Sequence, residues 1–342
     1  MYTLAFDNHK KYALATALDK NGTYMNSAKL TMKKESFEQY IKGFDGPCQA
    51  VIEAGYSWGQ VYDILTELGV DVTVAHPLRI KAIASAKIKT DEIDSRTLAE
   101  LLYANLIPEV YVPSTDIRQQ KNILRQRCWL VKLRTMVKNR THNILNRNHI
   151  ETPFTDSFGK GGRKFIESVQ LPDSEKELLT QDLSLLDYLT KEIKITEKWI
   201  GECLKDNPMY KIIMSAPGFG ETFSGLTTLE ITDIARFKTP GKLFSYAGLV
   251  PTTYASGGKV YHGALLPTCN KWLRYAFIEA SWSAITKSDY FRSLYLRVKS
   301  RKGPNPAIVT VARRLCEVIF YCLKEQRNYY EKPYIYYNQK SA

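Results

Sequence analysis

The spacing of apolar positions along this chain changes from period two, to period seven, to a third region of short mixed segments. Tyr2-Thr3-Leu4-Ala5-Phe6 reads as an apolar strand ending in Asp7, and Tyr12 to Leu18 and Thr23 to Leu30 follow as strands joined by the Lys20-Asn21-Gly22 turn. A polar helix is expected around Ser36 to Ile41, then Gln49-Ala50-Val51-Ile52 as a buried strand ending in Glu53. After the Ala54-Gly55-Tyr56 break come a helix from about Gly59 to Leu68 and a strand from Val70 to Val74. Lys89-Thr90-Asp91-Glu92-Ile93-Asp94-Ser95-Arg96 opens a further helix through Leu98, Ala99, Leu101 and Leu102, with Thr90 as its N-cap. Strands alternating with helices predict an α/β layered domain over residues 1–114.

From Asp116 the pattern predicts long helices. Ile123, Leu130, Val137 and Ile144 recur every seven residues, while Arg125, Arg127, Lys132, Arg134, Lys138, Arg140 and Arg147 fall mostly off that stripe. A loop rich in Thr, Gly and Lys around Glu151 to Lys164 precedes a second long helix, from about Ser174 to Leu204, in which Leu179, Leu186, Ile193 and Ile200 repeat at seven. Its acids outnumber its bases nine to five between Asp173 and Asp206, so two heptad helices of opposite charge make either an antiparallel hairpin or a dimer zipper. This helical section is expected to span 115–207, with a mostly α-helical domain over 208–342.

The third region opens with a helix, a Pro217-Gly218-Phe219-Gly220 turn and another helix. Such a turn either presents backbone N–H groups to a phosphate or is a plain tight turn. Tyr254-Ala255-Ser256-Gly257-Gly258-Lys259 follows. Two glycines let a backbone approach a phosphate closely, which Lys259 neutralises; the same residues also suit an ordinary hairpin, and Tyr254 or Tyr261 is as good a nucleophile as Ser256. Tyr329-Tyr330 to Tyr337 is an aromatic, basic tail that suits base stacking or packing on a neighbouring subunit.

Charge sharpens the picture. The chain of 342 residues carries 48 Lys/Arg against 35 acids, a formal charge of +13, which favours a polyanionic partner. Residues 236–342 hold 18 bases and five acids, so the last third carries the whole excess. Thr115 to Ile150 is a second basic block, with nine bases and only Asp116 to pair them within the segment. Six scattered cysteines without a Cys-x-x-Cys pair predict reduced thiols in a cytoplasmic protein, and no apolar run reaches membrane-spanning length.

The candidate chemistry lies in four carboxylates. Asp7 and Glu53 end apolar strands, and Asp91 and Asp94 stand three apart on the first turn of one helix, flanked by Lys89 and Arg96. Groups at strand carboxyl ends collect at one edge of an open α/β sheet, and four converging acids require bound cations such as Mg²⁺. Acids in a first helical turn also simply complement the helix dipole, and acids at strand ends are common.

Asp7-x-His9-Lys10-Lys11, Ile52-Glu53-Ala54-Gly55-x-x-Trp58 and Lys89-Thr90-Asp91-x-x-Asp94-Ser95-Arg96 together resemble the amino-terminal domain of the DEDD transposases of the IS110 insertion-sequence family and the related Piv-type invertases. Gly248-Leu249-Val250-Pro251 through Ser256-Gly257-Gly258-Lys259, with Asn270 and Arg274 downstream, resembles the carboxyl-terminal domain of the same family. The resemblance implies a RuvC-like, RNase H-like first domain whose Asp7, Glu53, Asp91 and Asp94 bind Mg²⁺, a coiled-coil linker, and a serine, Ser256, that attacks DNA to form a phosphoserine link. It further implies donor and target DNA and a structured noncoding guide RNA as partners, and dimers assembling into a tetramer. Arg125, Arg127, Arg134, Lys138, Arg140, Lys259, Lys271 and Arg274 are the expected nucleic-acid contacts, with Lys89 and Arg96 beside the acids. The sequence departs from the family at Gly263-Ala264-Leu265-Leu266-Pro267-Thr268-Cys269-Asn270, where Gly-x-Ile-Ser-Lys-x-Gly-Asn is expected. The rival readings are a junction nuclease that hydrolyses DNA with the acids alone, and a nucleic-acid-binding scaffold without chemistry.

Overall fold

A computed structural model describes residues 1–55, 57–84 and 90–330. Tyr56, Lys89 and the tail from 331 through Tyr337, all named above, lie outside them. The chain forms two compact units, Met1–Pro113 and the part from Ser114 onward.

The first unit contains β1 (Tyr2–Asn8), β2 (Tyr12–Leu18), β3 (Tyr24–Thr31), α1 (Lys34–Ile41), β4 (Cys48–Glu53), α2 (Trp58–Glu67), β5 (Asp71–Ala75), α3 (Pro77–Ile83) and α4 (Asp91–Tyr103). The five strands make one sheet in the order β3-β2-β1-β4-β5, antiparallel from β3 to β1 and parallel from β1 through β5. Alternate residues serve opposite faces. Leu4, Phe6, Ala50 and Ile52 pack with Phe37, Val61 and Leu65 of α1 and α2, whereas Ala5, Leu18, Val51 and Ala75 pack with Ile80 of α3 and Leu98, Ala99, Leu101 and Leu102 of α4. Because both faces are covered, the central strands read as continuous apolar runs, and each buried large side chain contributes roughly 1.5–3 kcal/mol.

Helix α4 is fastened to the sheet by a polar pin. The fully buried hydroxyls of Thr16 on β2 and Ser95 stand 2.7 Å apart, and Thr90 caps the helix by accepting from the Ile93 N–H at 3.2 Å. Asp91 and Ser95 share a helix face at spacing four, so the pin that seats Ser95 also turns Asp91 toward the sheet.

The second unit begins with α5 (Thr115–Arg147), followed by α6 (Lys160–Ser168) and α7 (Asp173–Leu204). Ile144 and Leu145 meet Leu179, Leu183 and Leu186; Leu130 meets Leu189 and Ile193; Leu124 meets Ile200 and Leu204. Contacts that run backward along α7 as they run forward along α5 define an antiparallel hairpin, which settles the choice the heptads left open. The stretch expected as loop around 151–164 instead enters α6 at Lys160, because Gly162 lies so close to the Ser157 backbone that a Cβ would stand 2.5 Å away, and Ile166 is fully buried. Then come α8 (Pro208–Met214), α9 (Glu221–Ile231), α10 (Pro240–Tyr246), a ribbon of β6 (Pro251–Ser256) and β7 (Lys259–Leu265), and α11 (Lys271–Lys287), α12 (Asp289–Lys302) and α13 (Pro304–Lys324). A large apolar core joins α8, α10, α11, α12 and α13.

Beside that core sits a buried charge network. Glu230 on α9, 2% exposed, faces Lys121 at 3.0 Å and Arg125 at 3.2 Å from α5, and accepts from Asn270 Nδ2 at 2.8 Å. Asn270 also caps α11 by accepting from the Leu273 N–H. One residue of the family motif thus ties α11 to α9 and, through Glu230, to α5.

Candidate metal centre and serine hairpin

Period two decides where the strand-end acids go. Asp7 follows Thr3 and Ala5 on the face covered by α4, and Glu53 follows Val51 on the same face. The pairing of Phe6 with Ile52 in the parallel register sets Asp7 and Glu53 level on adjacent strands. Asp7, Glu53 and Asp94 line a cleft of about 480 Å³ together with Ile80, Lys81, Thr97 and Leu98. Burial in this cleft raises the Asp7 carboxyl above its usual range, with the charges of Asp91 and Asp94 adding to the rise and His9 opposing it.

Asp91 faces Asp7 from the other side of this junction, across an imidazole. His9 Nε2 stands 3.3 Å from Asp7 Oδ2 and 3.1 Å from Asp91 Oδ2, while the Tyr12 hydroxyl donates to Asp91 Oδ2 at 3.1 Å. One ligand atom from each of Asp7, His9 and Asp91 falls within 4.8 Å of the others. A donor set of two carboxylates and an imidazole fits a divalent cation. Sequence reasoning assigned no role to Tyr12 and read His9 only as part of the opening motif; His9 lies one residue past the end of β1 and two past Asp7.

Ser256 is the last residue of β6. Gly257 (φ 56°) and Gly258 (φ 77°) form a two-residue turn with both central residues left-handed, and Lys259 pairs directly opposite Ser256. Tyr254 and Tyr261 are cross-strand partners, 69% and 63% exposed, and alternation puts them on the ribbon face that carries Ser256 and Lys259. The Pro217–Gly220 turn serves packing: Gly218 (φ 88°) is buried against α11, where a Cβ would stand 2.0 Å from the Ala280 carbonyl oxygen.

The basic residues divide. The few acids within α5 suggested unpaired cations, but neighbouring helices supply the partners: Arg127 pairs with Glu197 at 2.6 Å, Arg140 with Asp182 at 3.1 Å, Arg147 with Glu175, and Arg125 with Glu230. Arg274 donates to the Leu266 carbonyl, and Arg96 pairs with Glu100 at 2.9 Å and lies over the Tyr24 ring. Lys138 lies over the Phe158 ring at 4.7 Å, Lys259 and Lys271 are exposed, and Arg134 makes no ion pair among the described residues.

Similarity to known families defines the class first. Residues 4–150 match a family described as "Transposase", and residues 210–296 match one described as "Transposase IS116/IS110/IS902 family". The relatives agree. The chain is 28% identical over 144 residues to the insertion element IS110 uncharacterized 43.6 kDa protein of Streptomyces coelicolor, a match covering 42% of this chain and 35% of that one. It is 27% identical to the insertion element IS116 uncharacterized 44.8 kDa protein of Streptomyces clavuligerus over 42% of this chain and 37% of that one. With the transposase for insertion sequence element IS1328 of Yersinia enterocolitica, the match reaches 71% of this chain and 73% of the relative at 24% identity. The chain belongs to the IS110 family of transposases. Its match spans about a third of the two Streptomyces relatives. Among the described residues no helix is long and apolar enough to cross a membrane.

Proposed function

We propose that this protein is a DNA transposase that cleaves and rejoins strands through a phosphoserine intermediate on Ser256, with divalent ions, Mg²⁺ among them, held by Asp7, Glu53, Asp91 and Asp94. The observation that carries this reading is the setting of two strand-end carboxylates level on one sheet face under a helix that contributes two more. The strand order, with β1 central and β4 and β5 parallel to it, supports a RuvC-like, RNase H-like assignment for the first unit. Bound divalent ions supply the positive charge that lets an attacking oxygen form and a leaving oxygen depart.

The chain's own groups do the rest. Ser256 Oγ gives up its proton and forms a bond to phosphorus as the bond from phosphorus to one deoxyribose oxygen breaks, and that leaving oxygen takes up a proton, so the hydroxyl lost at serine reappears on the deoxyribose. Attack by the hydroxyl of the incoming strand reverses the step, so strand joining needs no added energy source. Lys259, opposite Ser256, neutralises the phosphate, and the φ-positive glycines let backbone approach it. The basic excess over the last third, with Arg134 and Lys138 of α5 outside the ion pairs with neighbouring helices, supports a structured guide RNA alongside donor and target DNA. An exposed second seam on α7, formed by Leu185, Tyr188, Ile195 and Trp199 at heptad spacing, supports assembly of copies into dimers and a tetramer.

Trapping on a nicked DNA substrate, with guide RNA and Mg²⁺ supplied, tests the chemistry. A covalent adduct lost in Ser256→Ala and kept in Tyr254→Phe and Tyr261→Phe is the expected result. Cleavage surviving Ser256→Ala overturns it in favour of a hydrolytic nuclease, and tight binding with no cleavage favours a scaffold. Recombination by purified protein without RNA rejects the guide.

A further inference from the structure

We propose that His9 is a nitrogen ligand to one of the ions at this centre, so that this position takes a transition ion of the Mn²⁺ type in preference to Mg²⁺. The inference rests on the metal-centre reading above and adds to its carboxylates a residue of a different chemistry.

Three features of the chain converge on it. First, His9 stands one residue past the end of β1, and its Nε2 lies between the oxygens of Asp7 and Asp91, 3.3 and 3.1 Å away. A nitrogen held in contact with two carboxylates at once is placed to share a third group with them. Secondly, one ligand atom from each of the three lies within 4.8 Å of the others, and His9 Nε2 stands 3.3 and 3.1 Å from the two oxygens, inside the roughly 4.2 Å that two bonds of about 2.1 Å to a common ion can span at most. Thirdly, the ring is held in place: Tyr12 packs against His9 with ring centroids 4.5 Å apart, donates its hydroxyl to Asp91, and is itself covered by Lys29 Nζ 3.8 Å from its ring centre. Such supporting contacts fix ligand orientation before an ion arrives.

Asp7 borders two different environments. On one side it shares the cleft with the carboxylates of Glu53 and Asp94, an oxygen-rich set suited to Mg²⁺. On the other it shares His9 and Asp91. Imidazole adds affinity for first-row transition ions and little for Mg²⁺, so the two positions differ in the ion each favours.

The test uses the full chain with no nucleic acid, so it is independent of strand transfer. Mn²⁺ binding is followed by electron paramagnetic resonance, with pulsed detection of nitrogen-14 coupled to the bound ion, and Mg²⁺ binding by calorimetry. Wild-type protein is expected to show nitrogen coupling that disappears in His9→Gln. That variant is expected to weaken Mn²⁺ binding about tenfold while changing Mg²⁺ binding by less than about twofold. Bound Mn²⁺ without nitrogen coupling in wild type overturns the proposal, as does equal weakening of both ions in His9→Gln. Asp7→Asn separates the levels: it is expected to weaken both ions. If wild type and Asp7→Asn bind neither ion, the metal-centre reading itself fails and takes this inference with it.

Discussion

Asp182 shows how the surroundings of a single carboxyl set the cost of its charge. It sits on α7 at 4% exposure beside Leu179, Leu183 and Leu186, and burial raises its pKa although Arg140 opposes the shift. A folded-state pKa above the unfolded value of about 4 means that ionisation costs more in the folded chain. Stability therefore falls as pH rises through the interval between the unfolded and folded values, and the deficit is fully present at pH 7. Asp182→Asn is expected to raise the melting temperature at pH 7, with the gain vanishing below about pH 4; a gain that grew on acidification would contradict the assignment. At the same scale the sequence made Asp7 and Glu53 legible, since each ends an apolar run. His9 was legible only as a motif residue, because its place at the centre depends on an oxygen from α4, eighty-odd residues away, reaching the same point.

At the scale of elements, glycines with positive φ separate local from tertiary constraint. Gly257 has φ 56° and nothing within 4 Å of where a Cβ would stand, whereas Gly218 has φ 88° with the Ala280 carbonyl oxygen 2.0 Å from that point. Alanine at 257 is expected to cost about 1 kcal/mol, the left-handed penalty alone. Alanine at 218 adds a backbone clash and is expected to cost at least about 3 kcal/mol, since α11 must move away from the turn. Denaturant unfolding of the two variants checks this, and equal losses would show that the α8–α9 turn does not bear on α11. The turn was legible from Pro217-Gly218-Phe219-Gly220, but its use was not: the pattern also suited a phosphate, and only its burial under α11 assigns it to packing. The serine ribbon is the opposite case. Apart from their ends, its strands are exposed, so its conformation rests on Gly257, Gly258 and strand pairing, all of them local.

For the molecule as a whole, the charge excess and the unburied seam of α7 bear on assembly. Leu185, Tyr188, Ile195 and Trp199 are each at least 45% exposed. Ile195→Glu combined with Trp199→Glu is expected to lower the sedimentation mass of the protein while leaving its helical circular dichroism unchanged. An unaltered mass would remove this face from the assembly. The net charge of +13 was visible from composition, but which cations are available to a polyanion was not. Arg125, Arg127, Arg140 and Arg147 are held by acids from α7 and α9 that are distant in sequence.

The amino-acid order by itself determined the α/β unit, the two heptad helices, the strand-end acids and the serine turn. Each of these is written in a period or a turn signal that acts within a few residues. Only the tertiary structure decided that the heptad helices close on each other as an antiparallel hairpin, that Glu230 gathers Lys121, Arg125 and Asn270, and that His9 stands between Asp7 and Asp91. Those outcomes depend on which faces meet across long stretches of chain, and a one-dimensional pattern fixes which side of an element is buried without fixing what covers it.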